Sequence, residues 1–200
     1  MRDPLDSVAW PVRTERLIVR RAAEADVDAL WRHRRLPEVS QWITTGPETL
    51  DDFRTIMTDP AKLAVTLIIE RADDGEVVGD LMLRVEDAWS QRELTAPARG
   101  AQASLGWTLH PAYGGRGYAT EAVRAAIDLC FGPIGVRRVL AACFADNEPS
   151  WRLMERIGMR REEHSLKSSL HRSGEWLDGF TYALLAEEWP TVRPPVQSAP

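Results

Sequence analysis

The stretch HPAYGGRGYATEA at 110–122 limits the fold most, because Gly114, Gly115 and Gly117 separate a strand-like run from a helix-like one. Before it, ASLGWTLH at 103–110 favours a strand, and Gly106 in its middle marks a bulge or a close backbone approach. After it, Ala119, Ala122, Val123, Ala126, Ile127 and Cys130 recur at helical spacing until Gly132-Pro133 ends the run. The first N–H groups of a helix have no internal partner and carry partial positive charge. Glycine backbone at its mouth therefore suits an anion such as phosphate. The same glycines would also serve a tight left-handed connection with no ligand.

The surrounding pattern is that of one α/β domain. RLIVRRA at 16–22 reads as a strand, and EADVDALWRHRRL carries Val27, Leu30 and Trp31 at helical intervals up to Pro37. Thr49 with Asp52 three positions on predicts a capped helix that puts Leu50, Phe53, Ile56 and Met57 on one side. LAVTLIIER and EVVGDLMLRV flank Asp74-Gly75, a hairpin signal. The polar segment 86–100 reads as a loop beside the site. VRRVLAACF is a buried-looking strand, and DNEPSWRLMERIGM a helix capped by Asp146 or Asn147. Pro149 lies near its start, Ser150, Leu153, Met154 and Ile157 along one face, and Gly158 at its stop. Two further strands surround Arg172-Ser173-Gly174. Residues 1–12 read as an N-terminal extension, 13–189 as the domain, and 190–200 as a proline-rich tail.

Composition narrows the function classes. In 200 residues, no run approaches the roughly 18 consecutive apolar residues of a membrane span. The first ten residues lack the apolar core of a signal peptide, so a cytoplasmic location is expected. A net charge of -5 argues against nucleic acid as a partner. Cys130 and Cys143 lie in apolar runs and read as buried thiols. His33, His110, His164 and His171 show no ligand spacing, so no metal is expected.

Three phosphate ligands compete for the glycines. A nucleoside triphosphate loop needs Lys-Ser or Lys-Thr after them, and none is present. A dinucleotide fingerprint fits Gly115-x-Gly117 but meets Thr120 at its third glycine. The third is coenzyme A, and here GRGYATEA resembles the acyl-CoA motif of the GNAT superfamily of N-acetyltransferases, [QR]-x-x-G-x-[GA]. Gly117 and Ala119 match its last two positions, while Gly114 stands where Gln or Arg is usual. TERLIVRRAAEADVDAL, GWTLHPAYGGRGYATEAV, NEPSWRLMERIGM and GEWLDGFTYALLAEEW resemble, in order, successive parts of the ribosomal-protein alanine N-acetyltransferase (RimJ/RimL-type) branch.

The resemblance implies a GNAT fold: a mixed, twisted α/β sheet of about seven strands, splayed between the central strand and VRRVLAACF, with helices on both faces. It implies acetyl-CoA as cosubstrate, its pyrophosphate on the backbone N–H groups of Gly115, Arg116, Gly117, Tyr118, Ala119 and Thr120, beside Gly114. Trp107, Thr108 and Leu109 belong to the central strand, where a main-chain N–H at or near Leu109 would stabilise the oxyanion. Asn147 would cap its helix and bond the pantetheine arm. Ser150 would protonate the leaving thiolate, because Met154 stands where many relatives carry a Tyr.

The acceptor would be a primary amine, on a protein N-terminus or a small molecule such as an amino sugar, and the chain could form a homodimer. A CoA-binding protein without turnover is the alternative, because Ser104 stands where the family often carries an acid. For an acetyltransferase, ordered water, or Glu86, Asp87 or Glu93, would have to take the amine's proton. Of the eight tryptophans, Trp31, Trp42, Trp89, Trp107, Trp151 and Trp176 could line a pocket, with Trp42 and Trp89 the best placed.

Overall fold

A computed structural model describes residues 3–46 and 49–192 of the chain, with side chains described to Pro190. Strands β1 (Val12–Arg13) and β2 (Leu17–Arg21) lead into helices α1 (Val27–Arg34), α2 (Pro37–Ser40), α3 (Leu50–Met57) and α4 (Pro60–Leu63). The hairpin β3 (Thr66–Arg71) and β4 (Val77–Glu86) follows, then α5 (Thr95–Ala98), β5 (Gln102–Leu109), α6 (Tyr118–Phe131), β6 (Arg138–Phe144) and α7 (Glu148–Arg156). Strands β7 (Arg160–Leu170) and β8 (Trp176–Leu185) and helix α8 (Trp189–Val192) complete the order.

Among the described residues the sheet has 8 strands, ordered β1-β2-β3-β4-β5-β6-β8-β7. The expectation of about seven is corrected by β1, a two-residue strand that pairs with β2 through Val12↔Val19 and Arg13↔Ile18. The segment expected as an extension folds back on the sheet: Leu5 is buried, and Arg21 pairs with Asp3 and Asp6. All neighbouring strands run antiparallel except β5 and β6, which are parallel and joined by α6 as crossover. The expected proline-rich tail lies outside the described residues from 193 onward.

Two layers cover the sheet. On one face Leu81, Leu83, Leu105 and Val139 pack against Val123, Ile127 and Met154 of α6 and α7. On the other, Val27, Leu30, Phe53, Met57 and Ile68 hold α1 and α3 down. Thr49 caps α3 as its spacing predicts, accepting from Asp52 N–H at 3.1 Å. The helix expected over 24–36 instead begins as a 3-10 turn at Glu24–Asp26, and α2 restarts at Pro37. Pro37 fixes the φ that a first helical position wants, so it opens a new helix as well as stopping the old one. The polar segment 86–100 likewise contains two short helical turns, Arg92–Leu94 and α5.

Candidate active site

The sheet opens at its centre. Pairing between β5 and β6 runs from Gln102↔Arg138 to Leu105↔Ala141 and then stops. His110 N–H donates to Val78 O at 2.8 Å, so the even-numbered residues of β5 bond to β4 and the odd-numbered ones point toward β6. Beyond Leu105 that side has no strand, and the main-chain N–H groups of Trp107 and Leu109 face the gap. The register of β5 on β4 is unbroken from Glu86↔Gln102 to Gly79↔Leu109, so Gly106 carries no bulge. A Cβ on Gly106 would meet only Met82, at 3.6 Å, whereas one on Gly79 would lie 2.3 Å from Thr108 O. The close approach belongs to Gly79.

The gap is part of a cleft of about 1610 Å³ that crosses the molecule. One end is the glycine turn. Gly115 and Gly117 have φ +72 and +81, and Gly117 is the N-cap of α6 with no side chain bonded to the helix start. The first-turn N–H groups therefore receive no side-chain cap from Gly117, and space around Gly115 is open. Arg16, Arg124, Arg152 and Arg156 line this end. Arg16 also ties the loop to the sheet: its Nη1 donates to Arg116 O at 2.8 Å and its Nε to Glu121 Oε2 at 2.7 Å. Glu121 receives Thr14 Oγ1 and Arg16 N–H as well, at 2.6 and 2.8 Å. Burial alone would raise its pKa, but these bonds hold the carboxyl below the usual range.

The expected cofactor residues Trp107, Thr108, Leu109, Gly114, Gly115, Gly117, Tyr118, Ala119, Thr120, Asn147 and Ser150 all line this cleft. Arg116 does not; its guanidinium lies 5.8 Å from the Tyr113 ring centre, and only its backbone belongs to the loop. Asn147 is the N-cap of α7, yet its side chain makes no capping bond, contrary to expectation. Its ψ of 67 departs from the extended backbone of a side-chain cap, which leaves the amide to the cleft. Cys143 is half-buried in the cleft wall, not in the core, because β6 loses its neighbour there. Burial pushes its thiol up to about 11, opposed by a hydrogen bond with Ser150.

The other end of the cleft lies over the even-numbered face of β4 and β5. Its floor includes Met82, Arg84, Ser104 and Gly106, and its walls Trp42, Ile43, Phe53, Ile56 and Met57. The 41–43 wall is held from across the fold: His171 Nε2 lies 2.9 Å from Gln41 O, and Arg172 Nη2 donates to Ile43 O at 2.7 Å. Trp42 stacks near Phe144 and His171, with ring centres 6.2 and 5.7 Å away. Trp89 is 91% exposed and outside the cleft, which corrects its expected place near substrate. Asp87 accepts from Gly100 N–H at 2.9 Å, and none of the three expected acids, Glu86, Asp87 and Glu93, lines the cleft.

Two groupings went unseen in the sequence. Asp80 is 1% exposed and sits beneath the floor with His33, Arg34 and Thr108. His33 Nε2 lies 2.9 Å from both Asp80 Oδ1 and Thr108 Oγ1, and Arg34 donates through Nε at 3.0 Å and through Nη2. A lone Asp within the apolar run EVVGDLML was the available signal, because a buried carboxylate requires partners. The second is Ser104, whose hydroxyl donates to Glu86 Oε2 at 3.0 Å.

The fold is shared with known proteins. The Acetyltransferase (GNAT) domain family matches residues 16–160. The uncharacterized N-acetyltransferase YnaD of Bacillus subtilis (strain 168) is 30% identical over 179 residues, 89% of this chain and 98% of its own. The L-amino acid N-acetyltransferase AaaT of Escherichia coli (strain K12) is 28% identical over 170 residues, 84% of this chain and 96% of its own. An acetyltransferase of the GNAT family from Bacillus anthracis superposes with a TM-score of 0.75 at 29% identity, covering 89% of this chain and 99% of that one. RimJ of Mycobacterium smegmatis, solved with CoA-disulfide, shares the fold with a TM-score of 0.71 at 22% identity, over 90% of each chain. With a split parallel pair, a side-chain-free helix mouth and this match across most of its length, the chain belongs to the GNAT family and is an N-acetyltransferase that uses acetyl-CoA as cosubstrate.

Proposed function

We propose that the acceptor is the primary amine of a small molecule that also carries a carboxylate, an apolar L-amino acid being the simplest case. The observation that carries this reading is Arg84. It lies on the cleft floor directly across from Ser104, half-exposed, and its sole ion-pair contact among the described residues is a loose 3.9 Å to Glu86 Oε1. Lys62 lines the same end, with no side-chain partner among the described residues. Arg34 is already committed to Asp80, so Arg84 and Lys62 stand against one lining carboxylate at this end, Glu38, and together favour an anionic group over a polycation. The surrounding Trp42, Ile43, Phe53, Ile56 and Met57 suit an apolar side chain. The name of the relative AaaT, an L-amino acid N-acetyltransferase, agrees with this substrate class.

In this reading acetyl-CoA supplies the acetyl thioester. The N–H groups at Gly115 to Thr120 hold its pyrophosphate, with Arg16, Arg124 and Arg156 adding positive charge. Trp107 and Leu109 offer N–H groups at the open edge of β5, one of them to the thioester oxygen. Asn147 bonds the pantetheine arm, and Ser150, on the first turn of α7, gives its proton to the departing sulfur.

The test is thiol release from acetyl-CoA with L-leucine, L-leucinamide and a peptide with N-terminal alanine, the last being what the RimJ/RimL resemblance implies. L-leucine should be turned over with kcat/KM at least ten-fold above the amide, and Arg84→Met should remove the difference. Equal use of the amide, or preference for the peptide, overturns the carboxylate reading.

A further inference from the structure

Amine acetylation requires that the acceptor nitrogen lose a proton, and the β5 residues that line the cleft, Ser104 among them, include no carboxylate. The pairing register supplies what that strand lacks. Arg84 faces Ser104 across the β4–β5 ladder, so Glu86, two residues further on β4, lies on the same face of the sheet. Its Oε2 accepts the Ser104 hydroxyl hydrogen at 3.0 Å. Ser104 lines the cleft one hydrogen-bonded rung, about 7 Å along the strand, from Gly106 where the sheet opens. Glu86 lies behind it, about a third exposed to solvent.

We propose that Ser104 and Glu86 act together as the proton acceptor of the reaction, with Ser104 touching the amine and Glu86 positioned to act through it. This rests on the proposed transfer to an amine. The ammonium nitrogen gives one proton to Ser104 Oγ, and the hydroxyl hydrogen of Ser104 passes to Glu86 Oε2. The freed nitrogen lone pair forms the N–C bond to the acetyl carbon as the C–S bond breaks, its electron pair leaving with sulfur. The nitrogen's second proton balances the thiol, delivered through Ser150, and Glu86 returns its proton to water. A serine hydroxyl alone is too weak a base near neutral pH; a carboxylate hydrogen-bonded to it removes that limitation.

The charged groups around Glu86 are few. Arg84 on its own strand lies 3.9 Å away. Across the ladder β5 presents Gln102, and beyond it Arg138 of β6 is engaged by Glu162 of β7. Asp87 is turned to Gly100 N–H.

The experiment measures kcat and KM from pH 6 to pH 10 for the full chain with acetyl-CoA and L-leucine, in wild type, Ser104→Ala, Glu86→Gln, Glu86→Asp and the double variant. Ser104→Ala and Glu86→Gln should each lower kcat about 100-fold or more near pH 7, with acetyl-CoA KM within about three-fold of wild type. The deficit should shrink as pH rises and the amine deprotonates in solution. The double variant should be no worse than the single ones, because the two act as one unit. Glu86→Asp should recover part of the rate, which a role in packing alone would not explain. Wild-type kcat and an unshifted pH profile in either Glu86→Gln or Ser104→Ala overturn the pair. Absence of thiol release by wild type with L-leucine, L-leucinamide and the alanyl peptide alike overturns the proposed function, and the pair with it.

Discussion

Replacing Asp80 with alanine should destabilise the protein more than any change on the cleft surface. Asp80 accepts from Arg34 through both carboxylate oxygens and from Thr108 and His33 through one of them. The variant leaves the Arg34 guanidinium, whose side chain is 17% exposed, without its counter-charge. Stranding one member of a buried ion pair costs about 3–5 kcal/mol. At about 2–4 °C per kcal/mol for a chain of this size, the melting midpoint should fall by about 6–20 °C.

The pH dependence has a definite sign. Burial by itself would raise the pKa of Asp80, but the Arg34 charge and the His33 and Arg34 hydrogen bonds overcome it, and the carboxyl is held well below the usual range. A lowered value means that the stabilisation is complete above the unfolded value, about 3.9, and is lost as pH falls through the folded one. Thermal unfolding at pH 7 and pH 5 should therefore show the same deficit, which narrows only below about pH 4. Adding Arg34→Met to Asp80→Ala should restore much of the loss by removing the stranded charge. A single variant that costs less than about 1 kcal/mol would refute the claim that this cluster clamps α1 to the floor of the cleft.

Two further changes address the cosubstrate half. Gly117 has φ +81, and a Cβ there would lie 3.3 Å from Arg16 Nη2. Gly117→Val should cost about 1–2 kcal/mol in backbone strain, and its side chain should occupy phosphate space. Acetyl-CoA at about 100 times its dissociation constant should raise the wild-type midpoint by about 5–10 °C, and Gly117→Val should abolish most of that shift; an intact shift removes the loop assignment. Ser150→Ala should retain the shift while kcat falls about ten-fold or more; unchanged turnover removes Ser150 as proton donor.

Much of the architecture was legible because its signals are local. Gly75, Gly158 and Gly174 all have positive φ where turn or helix-stop signals were read, and Thr49 caps α3 by its own side chain. Chain order does not encode the placing of β8 between β6 and β7. The Asp80 cluster joins residues 46 and 28 positions apart, and only a buried charge without a local partner hinted at it.

The cleft itself shows why motif reading stopped short of a base. A motif follows one strand, and along β5 it meets only Ser104. The chemistry of a sheet face is set across strands, where register and not sequence distance decides which groups touch. Glu86 precedes Ser104 by 18 residues and stood as one of three loop acids with equal claim. The register separates them: Glu86 ends β4 on the face that carries Arg84 and Ser104, within reach of the Ser104 hydroxyl behind the cleft lining, while Asp87, one residue later, is spent on Gly100. Where one strand offers only a hydroxyl, the neighbouring strand can bring a carboxylate within hydrogen-bond reach of it, as Glu86 does for Ser104 at 3.0 Å.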